Sequence, residues 1–263
     1  MSLLEAIILG IVQGLTEFLP VSSSGHIEIA KSLLGVQLGS GEEELLFTIL
    51  LHGATALSTI VVFRKYIFQL IKDLFSFQWN DSTKFSLFIA ISMIPAAIVG
   101  VLFKDELEAL MSGRVLWVGV FLIITAILLY FTDVYKPKSK DLGAGNSFVI
   151  GVAQAIAILP GISRSGATIA TALLLGVSRE KAASFSFLMV LPLIFGAMAK
   201  EFMDAETIVT ETTNIGVITA GFIAAFVSGI FACNWMIALV KKSKLTYFAI
   251  YCLLVGVLTI IFS

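Results

Sequence analysis

The sequence predicts an all-α polytopic membrane protein: an inverted-topology repeat, each half a re-entrant helix pair plus three transmembrane helices. Composition is the first observation. The 263 residues are 58% hydrophobic and 13% charged, with a mean hydropathy of +1.01, whereas soluble domains carry about 25% charged residues. The second is that the apolar residues gather in runs close to the roughly 20 needed to cross a bilayer. The third is an internal duplication. GIVQGLTEFLPVSSSGHIEIAKSLLGV (Gly10 to Val36) and GVAQAIAILPGISRSGATIATALLLGV (Gly151 to Val177) align without gaps. They share Gly10/Gly151, Gln13/Gln154, Ser22/Ser163, Ser24/Ser165, Gly25/Gly166 and the Leu-Leu-Gly-Val that closes each stretch. Leucines match by chance in apolar sequence, but an S-x-S-G knot behind a proline-broken helix is far less prone to do so. The chain therefore reads as one integral membrane domain of two repeats, 1–135 and 145–263.

The elements follow in order. The N-terminus carries Glu5 and no basic region, so it does not read as a cleaved signal. The first knot segment, 1–44, ends at Glu42-Glu43-Glu44. Full spans are predicted over Glu44 to Phe63, Phe85 to Phe103 and Arg114 to Thr132. The second knot segment, 147–181, ends with Arg179 and Lys181. Three more spans follow, over Ala182 to Ala199, Ile215 to about Val240, and Leu245 to Ile261.

The net charge of −1 says little; the distribution of charge over the loops sets the topology. Loops rich in Lys and Arg stay cytoplasmic. Those around Lys72, Lys138 and Lys242 are therefore expected inside, and those around Glu106 and Glu206 outside, together with both termini. Each full span then alternates correctly, provided each knot segment returns to its own side. The knot helices are short for full spans, so a re-entrant hairpin is the reading. In inverted repeats, broken helices of the two halves meet inside the protein, and non-helical backbone at that depth must line a cavity or lie in protein. The knots Ser22 to His26 and Ser163 to Thr168 are expected to face each other.

The second knot has the makings of an anion site. Gly161 and Gly166 permit tight backbone, and Ser163 or Ser165 can cap the next helix, whose N-terminus offers N–H groups and a positive dipole end. Arg164 adds a planar fork suited to phosphate oxygens, and Thr168 a hydroxyl one turn on. An arginine in lipid-depth sequence is a functional candidate by default; the alternative is that it pairs with a buried acid such as Glu17. The first knot supplies what chemistry needs. Gln13 and Glu17, four apart, share a helix face. Ser22, Ser23 and Ser24 are candidate nucleophiles, and His26 a candidate acid or base near neutral pH. A carboxylate beside a phosphate-binding arginine can also hold a divalent cation. His52 and Glu28 read as satisfied interior polar groups, and Trp117 and Trp235 as interfacial anchors. Cys233 and Cys252 lie in apolar spans, which argues against a structural disulfide or thiolate metal site.

At this point the chain resembles the bacterial undecaprenyl-diphosphate phosphatases, the BacA/UppP type linked to bacitracin resistance. The resemblance rests on QGLTEFLPVSSSGH (Gln13 to His26), PGISRSGAT (Pro160 to Thr168) and FSFL (Phe185 to Leu188). It matches the family's E/Q-x-x-x-E pair to Gln13 and Glu17, its first-motif serine and histidine to Ser23 and His26, and its second-motif serine, arginine and threonine to Ser163, Arg164 and Thr168. It implies hydrolysis of a C55 isoprenyl diphosphate to the monophosphate, recycling the wall-precursor carrier. A divalent cation (Mg²⁺ or Ca²⁺) on Glu17 is implied too, and a multi-pass protein of the cytoplasmic membrane whose site opens to its outer face. Catalytic roles are expected for Glu17, Ser23, His26 and Arg164, and substrate binding for Gln13, Ser22, Ser163, Ser165, Gly166 and Thr168. The partners expected are the lipid substrate and membrane lipids, with no nucleic acid; a homodimer is left open. The competing reading is a secondary transporter or flippase for an anionic lipid or small anion, because inverted repeats with broken helices serve those proteins. The sequence does not choose between a serine hydroxyl and water as nucleophile.

Overall fold

The computed structural model describes residues 1–36, 41–103, 115–135, 139–204, 214–242 and 244–263. The loops predicted around Glu106, Lys138 and Glu206 lie outside the described residues. Eleven helices are described: α1 Leu3–Phe18, α2 Ser23–Leu34, α3 Gly41–Leu74, α4 Asp81–Leu102, α5 Val115–Val134, α6 Ala144–Ile156, α7 Arg164–Leu174, α8 Arg179–Met189, α9 Leu191–Asp204, α10 Ile215–Lys242 and α11 Thr246–Ile261. Five stretches are long and apolar enough to cross a membrane: Leu46–Leu74, Asp81–Leu102, Val115–Val134, Arg179–Lys200 and Ile215–Lys241. The last predicted span is shorter, since α11 has 16 residues. The span expected over Ala182 to Ala199 is two helices. Pro192 brings no N–H and crowds the preceding turn, so the chain breaks at Val190 and restarts at Leu191.

The two knot segments are short helix pairs. Helix α1 stops at Phe18 because Leu19 precedes Pro20 and is held extended at ψ 143°. Ser22 then takes φ 72°, an unusual conformation for a residue with a side chain, and caps α2 by accepting from Gly25 N. Helix α2 closes on Gly35 in the left-handed region, with Val36 N donating to Lys31 O at 3.1 Å. In the second segment Gly161 makes the sharp turn at φ 96°, and Ser163 caps α7 by accepting from Gly166 N at 3.0 Å.

Small residues decide the packing. A Cβ on Gly10 would lie 2.3 Å from Gly221 O, and one on Gly14 would lie 2.0 Å from Ser228 Oγ, so α1 and α10 run backbone to backbone. Gly151 brings α6 against α4 in the same way, 2.3 Å from Ser92 O, and Gly119 and Gly256 join α5 to α11. Without a hydrophobic drive between helices in lipid, such close approach supplies the contact energy. The main core gathers Phe18, Val118, Leu122, Ile169, Phe185 and Met189 between the hairpins and α5, α8 and α10. Outside, large apolar residues recur at helical spacing, as Ile94, Ile98 and Val101 on α4 and Ile223, Val227 and Phe231 on α10. An apolar surface of that extent is suited to lipid and not to water; the chain is a multi-pass membrane protein.

Candidate active site

The knots meet as expected. Ser22 Oγ accepts from Gly161 N at 3.1 Å, and Ser165 Oγ donates to Leu19 O at 3.1 Å, so each knot is bonded to the other's backbone. Gly25 and Gly166 permit the approach: a Cβ on Gly25 would sit 3.3 Å from Gly161 Cα, and one on Gly166 3.3 Å from Pro20 Cβ. Two further helices also bond to the knots. Thr125 on α5 donates to Gly161 O at 3.1 Å, and the Cys252 thiol on α11 donates to Pro20 O at 3.5 Å.

At this junction Arg164, the first residue of α7, forms an ion pair with Glu17, in the last turn of α1. The carboxylate is 5% exposed and the guanidinium 25%. Of the two fates open to Arg164, pairing with Glu17 is therefore the one adopted, but it leaves the guanidinium on the wall of a pocket. Gln13 donates to Glu17 Oε2 at 3.0 Å and Ser23 Oγ donates to the same oxygen at 2.6 Å. A hydroxyl bonded to a carboxylate this closely has its base in place.

The pocket beside the pair is small, about 10 Å³, the room of a single water. It is lined by Glu17, Arg164 and Ser165 with Thr55 and Thr59 of α3, Ser186 and Phe187 of α8 and Ile194 of α9. Phe185, Phe187 and Leu188 of the FSFL motif are buried in the core, which turns Ser186 toward Thr168; their hydroxyls are 2.6 Å apart.

Other expected residues are placed differently. Ser22, Ser165 and the Gly166 N–H serve the junction and the cap. Thr168 donates to Arg164 O at 2.8 Å and steadies the first turn of α7. His26 stands apart from the pair: Nδ1 donates to Ser22 O at 2.8 Å, Nε2 meets the Tyr251 hydroxyl at 2.8 Å, and the two rings stack. The histidine beside Glu17 is His52, with Nε2 4.0 Å from Oε2. Glu28 pairs with Lys31 on the surface of α2, as an ordinary polar group does.

The α3 wall is the part that sequence reasoning missed. Thr48, His52, Thr55 and Thr59 fall on one helical stripe of an otherwise apolar span; that period was the available signal. The duplication also explains why there is one acid. Gln154 occupies the position of Gln13 and is buried with both amide atoms unpartnered among the described residues, but Ile158 stands where Glu17 would.

Among the described residues the protein alone builds no cage for a divalent cation; a single carboxylate such as Glu17 is suited to share one with substrate phosphates. No three His, Cys, Asp or Glu side chains come together among the described residues. Glu17, the ligand expected for the cation, already compensates Arg164 and accepts from Gln13 and Ser23. What the arrangement offers is an arginine fork for phosphate, a hydroxyl, and a carboxylate to take its proton.

Comparison with known proteins gives the family. Over 263 residues the chain is 58% identical to the undecaprenyl-diphosphatase of Christiangramia forsetii, covering 100% of this chain and 99% of that protein. It is 52% identical to the undecaprenyl-diphosphatase of Bacteroides thetaiotaomicron, covering 99% of each. It is 38% identical to that of Halothermothrix orenii, covering 100% of this chain and 99% of the other. The family model described as bacitracin resistance protein BacA matches residues 6–258, nearly the whole chain, and the chain belongs to the BacA family.

Proposed function

We propose that the chain hydrolyses undecaprenyl diphosphate to undecaprenyl phosphate and inorganic phosphate, recycling the lipid carrier of cell-wall synthesis. The observation that carries this reading is Ser23 Oγ at 2.6 Å from a carboxylate that is itself paired with Arg164, the two charged groups lining one pocket. Full-length similarity to proteins named undecaprenyl-diphosphatase supports the substrate.

In the proposed mechanism the diphosphate takes the place of Glu17 on the Arg164 fork, with the α7 N-terminus aimed at the same charge. Ser23 Oγ attacks the terminal phosphorus while its proton moves to Glu17. The anhydride bond breaks and the lipid monophosphate leaves, carrying that proton away. Water then cleaves the phosphoserine. His26 serves as a support, holding the start of α2 through Ser22 and Tyr251. A divalent cation, when bound, would be shared by Glu17 and the phosphate oxygens and would neutralise phosphate charge.

The inverted repeat is part of the same proposal. Its support is reciprocal: Gly25 meets Gly161 and Gly166 meets Pro20, pairs that exchange when the two stretches are aligned. Likewise α1 packs on α10 of the other half and α6 on α4. The basic loops then lie inside, and the pocket opens to the outer face of a bacterial cytoplasmic membrane.

Purified protein in detergent, given lipid diphosphate and no ion gradient, is expected to release phosphate with turnover. Binding without release would leave the transporter reading in possession.

A further inference from the structure

We propose that His52 and Glu17 together hold the water that hydrolyses the Ser23 phosphoester. The inference rests on the covalent route above and deepens it. His52 lies on α3, one turn before Thr55 of the pocket wall, and its Nδ1 is 2.9 Å from Thr48 O. A carbonyl oxygen only accepts, so Nδ1 carries the hydrogen, and Nε2 of the neutral ring presents a lone pair. That lone pair faces Glu17 Oε2 at 4.0 Å.

Two acceptors at this separation do not bond to each other. They are spaced for one water that donates a hydrogen to each, since hydrogen bonds of about 2.8 Å from a single oxygen span such a gap.

The order of the reaction vacates the place for it. In the free enzyme Glu17 Oε2 already accepts from Gln13 and from Ser23 Oγ. Once Ser23 carries phosphate, its oxygen has no hydrogen left to donate, and Oε2, which also lies 4.0 Å from His52 Nε2, is free to accept from another donor. A water there has both hydrogens engaged, which leaves its lone pairs free for attack, and it is held on the same carboxylate oxygen that Ser23 Oγ lies beside.

The step balances. The water oxygen bonds to phosphorus, the bond from phosphorus to Ser23 Oγ breaks, and its electron pair stays on Oγ. One water proton passes through Glu17 to Oγ, restoring the serine, and the other leaves on inorganic phosphate. His52 keeps its Nδ1 hydrogen throughout and works by position. The same group explains why α3 presents a histidine here and not another apolar residue.

The test is rapid acid quench of enzyme turning over substrate labelled at its terminal phosphorus. Wild type is expected to show a short-lived labelled protein. His52→Leu should form it at the wild-type rate and lose it about 10²-fold more slowly, the scale of a misplaced reactant, so label accumulates. His52→Gln, whose amide oxygen still accepts, should recover much of the loss rate. His52→Asn, polar but shorter, is the second probe should the leucine variant not fold, and should accumulate label as well. Equal slowing of both steps, no change in either, or a glutamine variant no better than leucine overturns the proposal. Absence of label on wild type overturns the covalent reading beneath it, an outcome separate from any effect at His52.

Discussion

Glu17 and Arg164, 147 residues apart in the chain, form the ion pair that joins the two broken-helix knots. A buried pair is weak grounds for stability, because removing two charges from water offsets much of their attraction. In the proposed mechanism its value is functional: the carboxylate occupies the position that a phosphate takes, and yields it on binding.

Replacing Arg164 by lysine keeps the charge but loses the two-pronged donor. Turnover should fall about 10²- to 10³-fold, as when one donor aimed at developing charge is removed, with normal membrane insertion. Steady-state phosphate release from purified protein measures it. Near wild-type turnover in Arg164→Lys would reduce Arg164 to a structural partner of Glu17.

Glu17→Gln separates the two roles of the carboxylate. The variant has no base for Ser23, so turnover should be abolished. It also leaves the guanidinium without its internal anion, so inorganic phosphate should bind more tightly than to wild type. Calorimetric titration with phosphate checks this, and weaker binding in the variant would contradict the exchange of Glu17 for substrate.

Ser23→Ala decides the nucleophile. Acid quench should trap labelled phosphate on wild type and none on the variant, whose turnover should be lost. A variant that retains a substantial rate would leave Ser23 as a phosphate ligand, with water attacking directly under Glu17.

Close helix contacts give a prediction about stability. A Cβ at Gly151 would lie 2.3 Å from Ser92 O, which is backbone and cannot swing aside. Gly151→Ala should force α6 away from α4 and cost about 1–3 kcal/mol, the usual scale of overpacking. Thermal melting in detergent reads it. Gly100→Ala on α4 is the control, since nothing lies within 4 Å of its Cβ.

Topology is testable in intact cells. Single cysteines placed at Lys72, in the last turn of α3, and at Glu106 should label from opposite sides, with Lys72 inside. Labelling of both from the same side would end the inverted arrangement.

Much of this protein was legible in sequence because lipid imposes simple rules. Apolar runs must be helices that satisfy their own backbone, and Pro20 and Pro160 mark where two of them break. The recurring S-x-S-G knot made Ser22, Ser163 and Arg164 conspicuous, and Glu17 stood out as an acid at lipid depth. What the sequence by itself determined is therefore the class of protein, its broken helices and the residues that have no business in lipid unless they meet. Only the tertiary structure decided which of them meet. Side chains 147 residues apart become neighbours through the gap that Gly25 and Gly166 leave, and no local pattern encodes that distance. Packing also sent His26 to Tyr251 and brought His52 to Glu17. His26 sits in the polar first knot and His52 within an apolar span, and neither setting shows which helix the histidine will face.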